Sequence, residues 1–532
     1  MTRLGAAMLL LAALTAGVGA AGKMRILNAW RTLDFAFPSE RTRQAMIRNG
    51  SYVPGNSIPI DVQPWQSERG LWSLLVTVPR FKKGVPATLA VVPPKGDTGT
   101  PLLPFPDWRS NLQGNCDGFT SVFRVQVDAC GRLWILDTGF VDILTSDFRR
   151  ICPTKVVVFD NRGERTLSYE YPHDVLTASS LLVTIAVESR DAACTQNFAY
   201  AADVTGFGLV VLDEQRRRSW RVTANYFYPY PQWGHFDLNG DSFDLMDGVL
   251  GLALGPPQAD GDRRLYFHSM ASDRESAVAT SVLRNQSLFE DGVNHASHEF
   301  LLLGEPRPGQ TAAEAMDVDG VMFFSVLPRN TLSCWNSRST YGGRNIVELD
   351  RDADNLQFAS GVKVIQDSKG RSHLWVLTCR FQKHMTGTID NSEINYRILA
   401  SPVDELVRGT SCAVQRQQQQ QQQSQQRPQH GGPSGGYYDS WLSLMSSWCR
   451  DQAGARLPGR FCDLSSCHRR PPASTPYFPA SSSSSSGLVA WPPPTEYGVA
   501  TVSPLLLHRD KRLIFPDTIA EPESPLCCLC HS

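Results

Sequence analysis

The side chains whose types and spacing suit chemistry in this sequence are carboxylates and hydroxyls recurring at the ends of short apolar runs. Asp137 ends LWILD, Asp203 ends AYAAD, Ser269 ends LYFHS, Ser325 ends VMFFS and Thr378 ends LWVLT. If the runs are equivalent strands, these groups approach a common channel face, where a buried carboxylate with a raised pKa serves as a general base. Asp244, Asp247, Glu314, Asn336 and the His173-Asp174 pair are further interior polar candidates. A plainer reading stands beside this one: a polar residue at a strand end bonds the neighbouring backbone and does nothing more.

Familiar catalytic signatures are missing. The sequence has no HExxH, no GxSxG, no phosphate loop and no GxGxxG. Asp237-Leu-Asn239-Gly-Asp241 opens like a calcium loop, but Ser242 stands where the turn glycine belongs and Gly248 where the bidentate glutamate belongs. No metal site and no cofactor are expected from these patterns.

The elements that must position the candidates are strands. Ser121–Val127, a turn at Asp128-Ala129-Cys130-Gly131 and Arg132–Asp137 read as a hairpin, with β-branched and aromatic residues suited to a pleated surface. Its second strand recurs. Aligned on Trp72, Trp134, Tyr200, Tyr266, Met322 and Trp375, the copies are separated by 62, 66, 66, 56 and 53 residues. A period of this kind with several strands per unit predicts an all-β, six-bladed β-propeller over residues 60–412. Outer strands are expected at Lys155–Phe159, Gly208–Leu212, Thr280–Arg284, Asn345–Leu349 and Tyr396–Ala400. The hairpin Leu74–Val78 with Thr88–Val92 is expected to complete the sixth blade and close the ring. Residues 24–60 read as loop and short helix, and Asn225–Asp247 as a long segment covering one face of the disc.

Composition narrows the setting. A net charge of -1 argues against a nucleic-acid surface. Met1–Ala21 has one arginine, an apolar run and then small residues, so 1–22 is expected to be a signal peptide and the protein secreted. No later stretch approaches eighteen apolar residues, so no membrane span is expected. Thirteen cysteines in an exported chain imply disulfides. Asn49-Gly50-Ser51 and Asn285-Gln286-Ser287 are glycosylation acceptors if exposed. The propeller is assigned to 23–412. From Ala413 onward, runs of glutamine, glycine, serine and proline replace the strand pattern, and 413–532 is expected to be a largely disordered, cysteine-containing tail.

The order of the motifs NCDGFTSVFRVQVDACGRLWILDTG, AYAADVTGFGLVVLD, SFDLMDGVLGLALGP, LYFHSMAS and LSCWNS resembles the insect yellow / major royal jelly protein family over residues 24–412. The resemblance implies a secreted six-bladed propeller of pigmentation, cuticle or eggshell. It implies two alternative roles: a dopachrome tautomerase-like enzyme of melanin synthesis, or a non-catalytic extracellular protein that binds catechol or indole amines or is built into cuticle or eggshell matrix. The expected partner is a small aromatic amine or catechol-derived ligand, and the cysteine-containing tail is expected to serve for crosslinking to extracellular matrix. The chain departs from the family pattern at Cys379 in LWVLTCRFQ and in the 120 residues after Cys412.

Seven cysteines precede Ala413, so at least one is free or bonded to the tail. Cys116 and Cys130 flank one strand and are expected to take different partners. Arithmetic and resemblance together lead to Cys116 with Cys152, Cys130 with Cys194 and Cys334 with Cys412. Cys379 is then either a buried thiol or tied to a tail cysteine. Limited proteolysis of the mature protein should yield a resistant core ending near Cys412, and rapid cleavage throughout 130–400 would count against closed blades.

Overall fold

Strand pairing builds six four-stranded antiparallel sheets. The computed structural model describes residues 23–93 and 98–414; the expected signal peptide and almost all of the expected tail lie outside them. The innermost strands are Asp61–Gln66, Val122–Val127, Leu182–Ser189, Val249–Leu254, Glu314–Met316 and Ala359–Gln366. Each abuts the inner strand of the next blade and the last abuts the first, so the sheets radiate from one axis as a six-bladed β-propeller. Among the described residues no helix is long and apolar enough to cross a membrane.

The hairpin turns repeat one local device. Asp128, Asp317 and Asp367 each accept the backbone N–H groups two and four residues ahead, at 2.8–3.0 Å. Asp160 does the same in an outer turn, at 2.9–3.0 Å. Each turn reads Asp-x-x-Gly, and its glycine holds a φ of 75–84°, a left-handed conformation that a side chain would strain.

Ring closure uses a different segment from the one expected. Leu89–Val92 and Trp72–Thr77 belong to a blade of their own with Asp61–Gln66 and Leu103–Pro104. The sixth blade is completed by Arg25–Trp30, which pairs with Tyr396–Pro402 from Arg25↔Ala400 to Trp30↔Tyr396. RILNAW lies in the region read as loop and helix because one strand with a mixed pattern gives little periodicity. Its anchor is Trp30, 2% exposed, whose indole N–H donates to Thr100 O at 2.8 Å. Thr280–Arg284 is likewise a short helix after the strand Ser276–Ala279. One helical turn puts Thr280 and Arg284 on the same face, and both side chains reach Glu188 on the inner strand of the preceding blade.

One face of the disc is plugged. Within the 225–247 segment, the hairpin of His235–Leu238 and Asp241–Asp244 packs on the helix Phe381–Thr386. Phe236, Phe243 and Phe381 join Phe81, Phe123, Leu181, Leu250, Ala312 and Phe358 in one apolar cluster, which draws on every blade where the inner strands begin.

Three disulfides link Cys116 to Cys152, Cys130 to Cys194 and Cys334 to Cys412, and Cys379 is a buried free thiol. The Cys334–Cys412 bond spans 78 residues and pins the end of the described chain to the fifth blade. Replacing both with serine should lower the unfolding free energy by about 4 kcal/mol on the chain-entropy model, read by urea denaturation of the oxidised protein. A loss below about 1 kcal/mol would mean that packing alone holds this end.

Candidate functional site

The polar strand ends lie beneath the apolar plug, and Asp137, Asp203 and Ser269 bond backbone there. Asp137 is fully buried and accepts from Ser121 N at 2.7 Å, Thr120 N at 2.8 Å and Gly139 N at 3.2 Å, with the Lys155 ammonium 3.9 Å away. Asp203 takes Leu181 N at 2.8 Å, Gly206 N at 3.0 Å, the Ser180 hydroxyl and Arg221 at 2.8 Å. Ser269 donates to Phe227 O and Tyr228 O at 3.1 and 3.0 Å. Ser325 and Thr378 are buried with hydroxyls that have no partner. Thr77 occupies the sixth equivalent place, opposite Asp61, and its hydroxyl donates to Phe123 O at 2.7 Å. It escaped the repeat because alignment on Trp72 points to Leu75 instead.

The other candidates scatter. Asp244 is exposed on the outer side of the plug and pairs with His235 at 2.8 Å. Asp247 is half-buried near it, and desolvation pushes its carboxyl up to about 7. His173 and Asp174 sit on an exposed turn. Asn336 donates to Cys412 O at 3.3 Å, beside the disulfide. Asn49 and Asn285 are both exposed. Of the channel candidates, Glu314 alone lines the open cavity.

That cavity runs along the axis between the inner strands, with a volume of about 770 Å³. Its open end is ringed by the far ends of the inner strands and their turns, including Gln66, Glu68, Asp128, Pro256, Asp317 and Gln366. Deeper, the walls carry Arg124 and Gln126 from the second blade, Thr184 from the third, Glu314 from the fifth and Lys363 from the sixth. Lys363 reaches past its neighbour: its ammonium lies 3.2 Å from Asp61 on the first blade and donates to Val125 O on the second at 2.7 Å. Burial lowers its pKa, and the Asp61 carboxylate works against that shift.

Arg124 differs from every other cation of the channel. It is 6% exposed, its guanidinium makes no hydrogen bond among the described residues, and its Nε is buried without a partner. Burial pulls its pKa down, while Asp61 nearby favours the charge. One oxygen of Asp61 serves both Lys363 and Val125 N, and the other is buried without a hydrogen-bond partner. Among the channel's carboxylates, Asp128 bonds Arg132 at 2.7 Å and Asp317 its own turn, while Glu314 bonds His268 at 3.2 Å through one oxygen and leaves Oε1 without a partner. What the cavity offers a visitor is therefore an unsatisfied planar cation with a polar, partly apolar wall around it. That suits a carboxylate carried on a small aromatic body.

Residues 120–412 match the family model described as Major royal jelly protein. The Protein yellow of Drosophila pseudoobscura pseudoobscura is 35% identical over 421 residues, covering 78% of this chain and 72% of that one. The chain belongs to the major royal jelly protein family. The Protein yellow of Drosophila melanogaster agrees, at 36% identity over 400 residues, 74% of this chain and 71% of that one. Among solved structures, an alpha-L-arabinanase of Penicillium chrysogenum covers 70% of this chain and 98% of its own at 11% identity, with a TM-score of 0.39, too low to bear on function.

Two buried titratable side chains lie at the closed end. Cys379 lies under the plug, where burial pushes its thiol up to about 12 and leaves it unreactive. His384, on the plug helix, bonds the Tyr396 hydroxyl at 2.9 Å and stacks on its ring. Burial, with Lys82 adding repulsion, pushes the imidazole down to about 3, so it is neutral at pH 7. The folded state thus disfavours the protonated ring. This stability is fully present above the ordinary histidine value of 6.5 and drains as pH falls toward 3. Between pH 7 and 5 the wild type should lose about 2 kcal/mol more than His384→Gln, measured by denaturant unfolding at each pH. Equal losses would show that the imidazole titrates freely.

Proposed function

We propose that this chain is a secreted pigmentation protein that takes a carboxylated, catechol-derived aromatic of the dopachrome kind into its central channel and isomerises it. The observation that carries the reading is Arg124, a buried guanidinium without a hydrogen bond on the channel wall. A carboxylate forms two parallel charge-assisted bonds with such a group, and water-poor surroundings strengthen them. A simple aromatic amine lacks that carboxylate and needs an anion facing the channel, whereas Asp128 and Asp317 are already engaged and the Glu314 side chain has no exposed surface. Family membership supports a role in pigmentation, and the three disulfides support passage through an oxidising compartment.

Isomerisation needs no external oxidant. Two C–H bonds on adjacent carbons of the saturated ring break in turn; each leaves its electron pair to the quinoid system and each proton ends on one of the two quinone oxygens, giving a dihydroxyindole. Holding the carboxylate fixes which C–H bond faces the wall.

Purified protein mixed with dopachrome should remove its visible absorbance faster than buffer does. Dopaminechrome, the same chromophore without the carboxylate, should be turned over roughly ten- to a hundredfold less efficiently, and Arg124→Gln should erase that preference. Equal rates for both chromophores would refute the role of Arg124. Persistent absorbance, with tryptophan fluorescence reporting saturable binding, would make the protein a binder and not an enzyme.

A further inference from the structure

Between the fourth and fifth blades, behind the channel wall, three potential ligands converge. His268 and Glu275 come from the fourth blade and its connecting turn, and Glu314 opens the inner strand of the fifth. Their side chains are at most 1% exposed, and His268 Nδ1 lies 3.2 Å from an oxygen of each carboxylate. Gly251 makes room for the ring: a Cβ there would stand 2.0 Å from His268 Cε1 and 2.4 Å from its Nε2. The inner strand also bulges between Val249 and Gly251, opposite Ser269 and His268.

The cluster is incompletely satisfied. Glu275 Oε1, Glu314 Oε1 and His268 Nε2 are buried with no hydrogen-bond partner. Arg307 donates to Glu275 at 2.6 Å and to Ser272 O at 3.2 Å, so one of the two negative charges is balanced. Buried acceptors in native proteins are nearly always bonded, and several orphans in one place point to a missing partner. One ligand atom from each of the three residues lies within 4.8 Å of the others. Ligands about 2.0–2.2 Å from a common ion are separated by roughly 3–4 Å, so a small inward adjustment suffices.

We propose that His268, Glu275 and Glu314 form a site for one small divalent cation such as Zn²⁺ or Mn²⁺, bridging the fourth and fifth blades. Imidazole with two carboxylates favours these ions over Ca²⁺, which takes six to eight oxygens. Glu314 lines the cavity and gives the ion its way in. The spacing of the three residues, six and then 38 intervening positions, matches no short metal motif and hides the site from a linear reading.

The test uses the full secreted chain, stripped with a chelator and dialysed. Calorimetric titration with Zn²⁺ should show one equivalent bound at this site, with a rise in melting temperature. Glu314→Gln and His268→Gln should each weaken that equivalent more than tenfold. Cys527, Cys528, Cys530 and His531 offer a competing thiolate site, which Co²⁺ distinguishes. Thiolate ligands give an intense near-ultraviolet charge-transfer band, whereas this site should give weak visible bands alone. The cobalt spectrum of the wild type decides the matter even if the variants are not secreted. No bound equivalent, a thiolate spectrum for the sole equivalent, or undiminished binding by both variants overturns the proposal.

Discussion

The Lys363 ammonium sits where the last, first and second blades meet, and much of the molecule follows from how it is held. A buried cation without a partner would cost several kcal/mol, so Asp61 and the Val125 carbonyl must both be in place. One side chain thereby ties three blades across the seam at which the ring shuts. Asp61 turns one oxygen to Lys363 and Val125 N and keeps the other unbonded, and the nearby Arg124 hydrogen-bonds to neither.

Much of this architecture was legible in the chain. The central strands announced themselves through aromatic residues at a long period, and the Asp-x-x-Gly turns fixed hairpin ends by backbone chemistry that tolerates few substitutes. The failures have local causes. Arg25–Trp30 forms a strand only because Tyr396–Pro402 waits beside it, a partner hundreds of residues away that no window of sequence contains. Thr280–Arg284 has the β-branched start of a strand, but Glu188 offers both ends of one helical turn a shared partner. Tertiary contacts overrode propensity in each case.

The site was less legible than the fold. Repetition drew attention to Asp137 and Asp203, yet repetition in a closed ring reports a structural need that every blade shares, and these carboxylates satisfy buried N–H groups. A binding group breaks symmetry instead. Arg124 in SVFRVQV, Lys363 in SGVKVIQ and His268 in LYFHS are each a basic residue inside an apolar strand, with no counterpart in the other copies. That irregularity was the signal. Whether such a residue is paired could not be read from the sequence, because the partners sit on neighbouring blades.

The closing strand has a consequence for how the molecule is made. Arg25 and Ala400 are partners, so the first strand to emerge from the ribosome is among the last to be used. At about 5–20 residues per second, its mate follows roughly 20–75 s later. For that interval RILNAW is a bare, hydrogen-bond-hungry edge in the company of other nascent chains, each carrying the same unpaired segment and, once finished, the same vacant groove. Two such chains can trade strands and satisfy every bond while producing a linked pair instead of two separate rings. Lesions in Arg25–Trp30 and in the distant Tyr396–Pro402 therefore fall in one structural neighbourhood, and should leave the same defect in the cell.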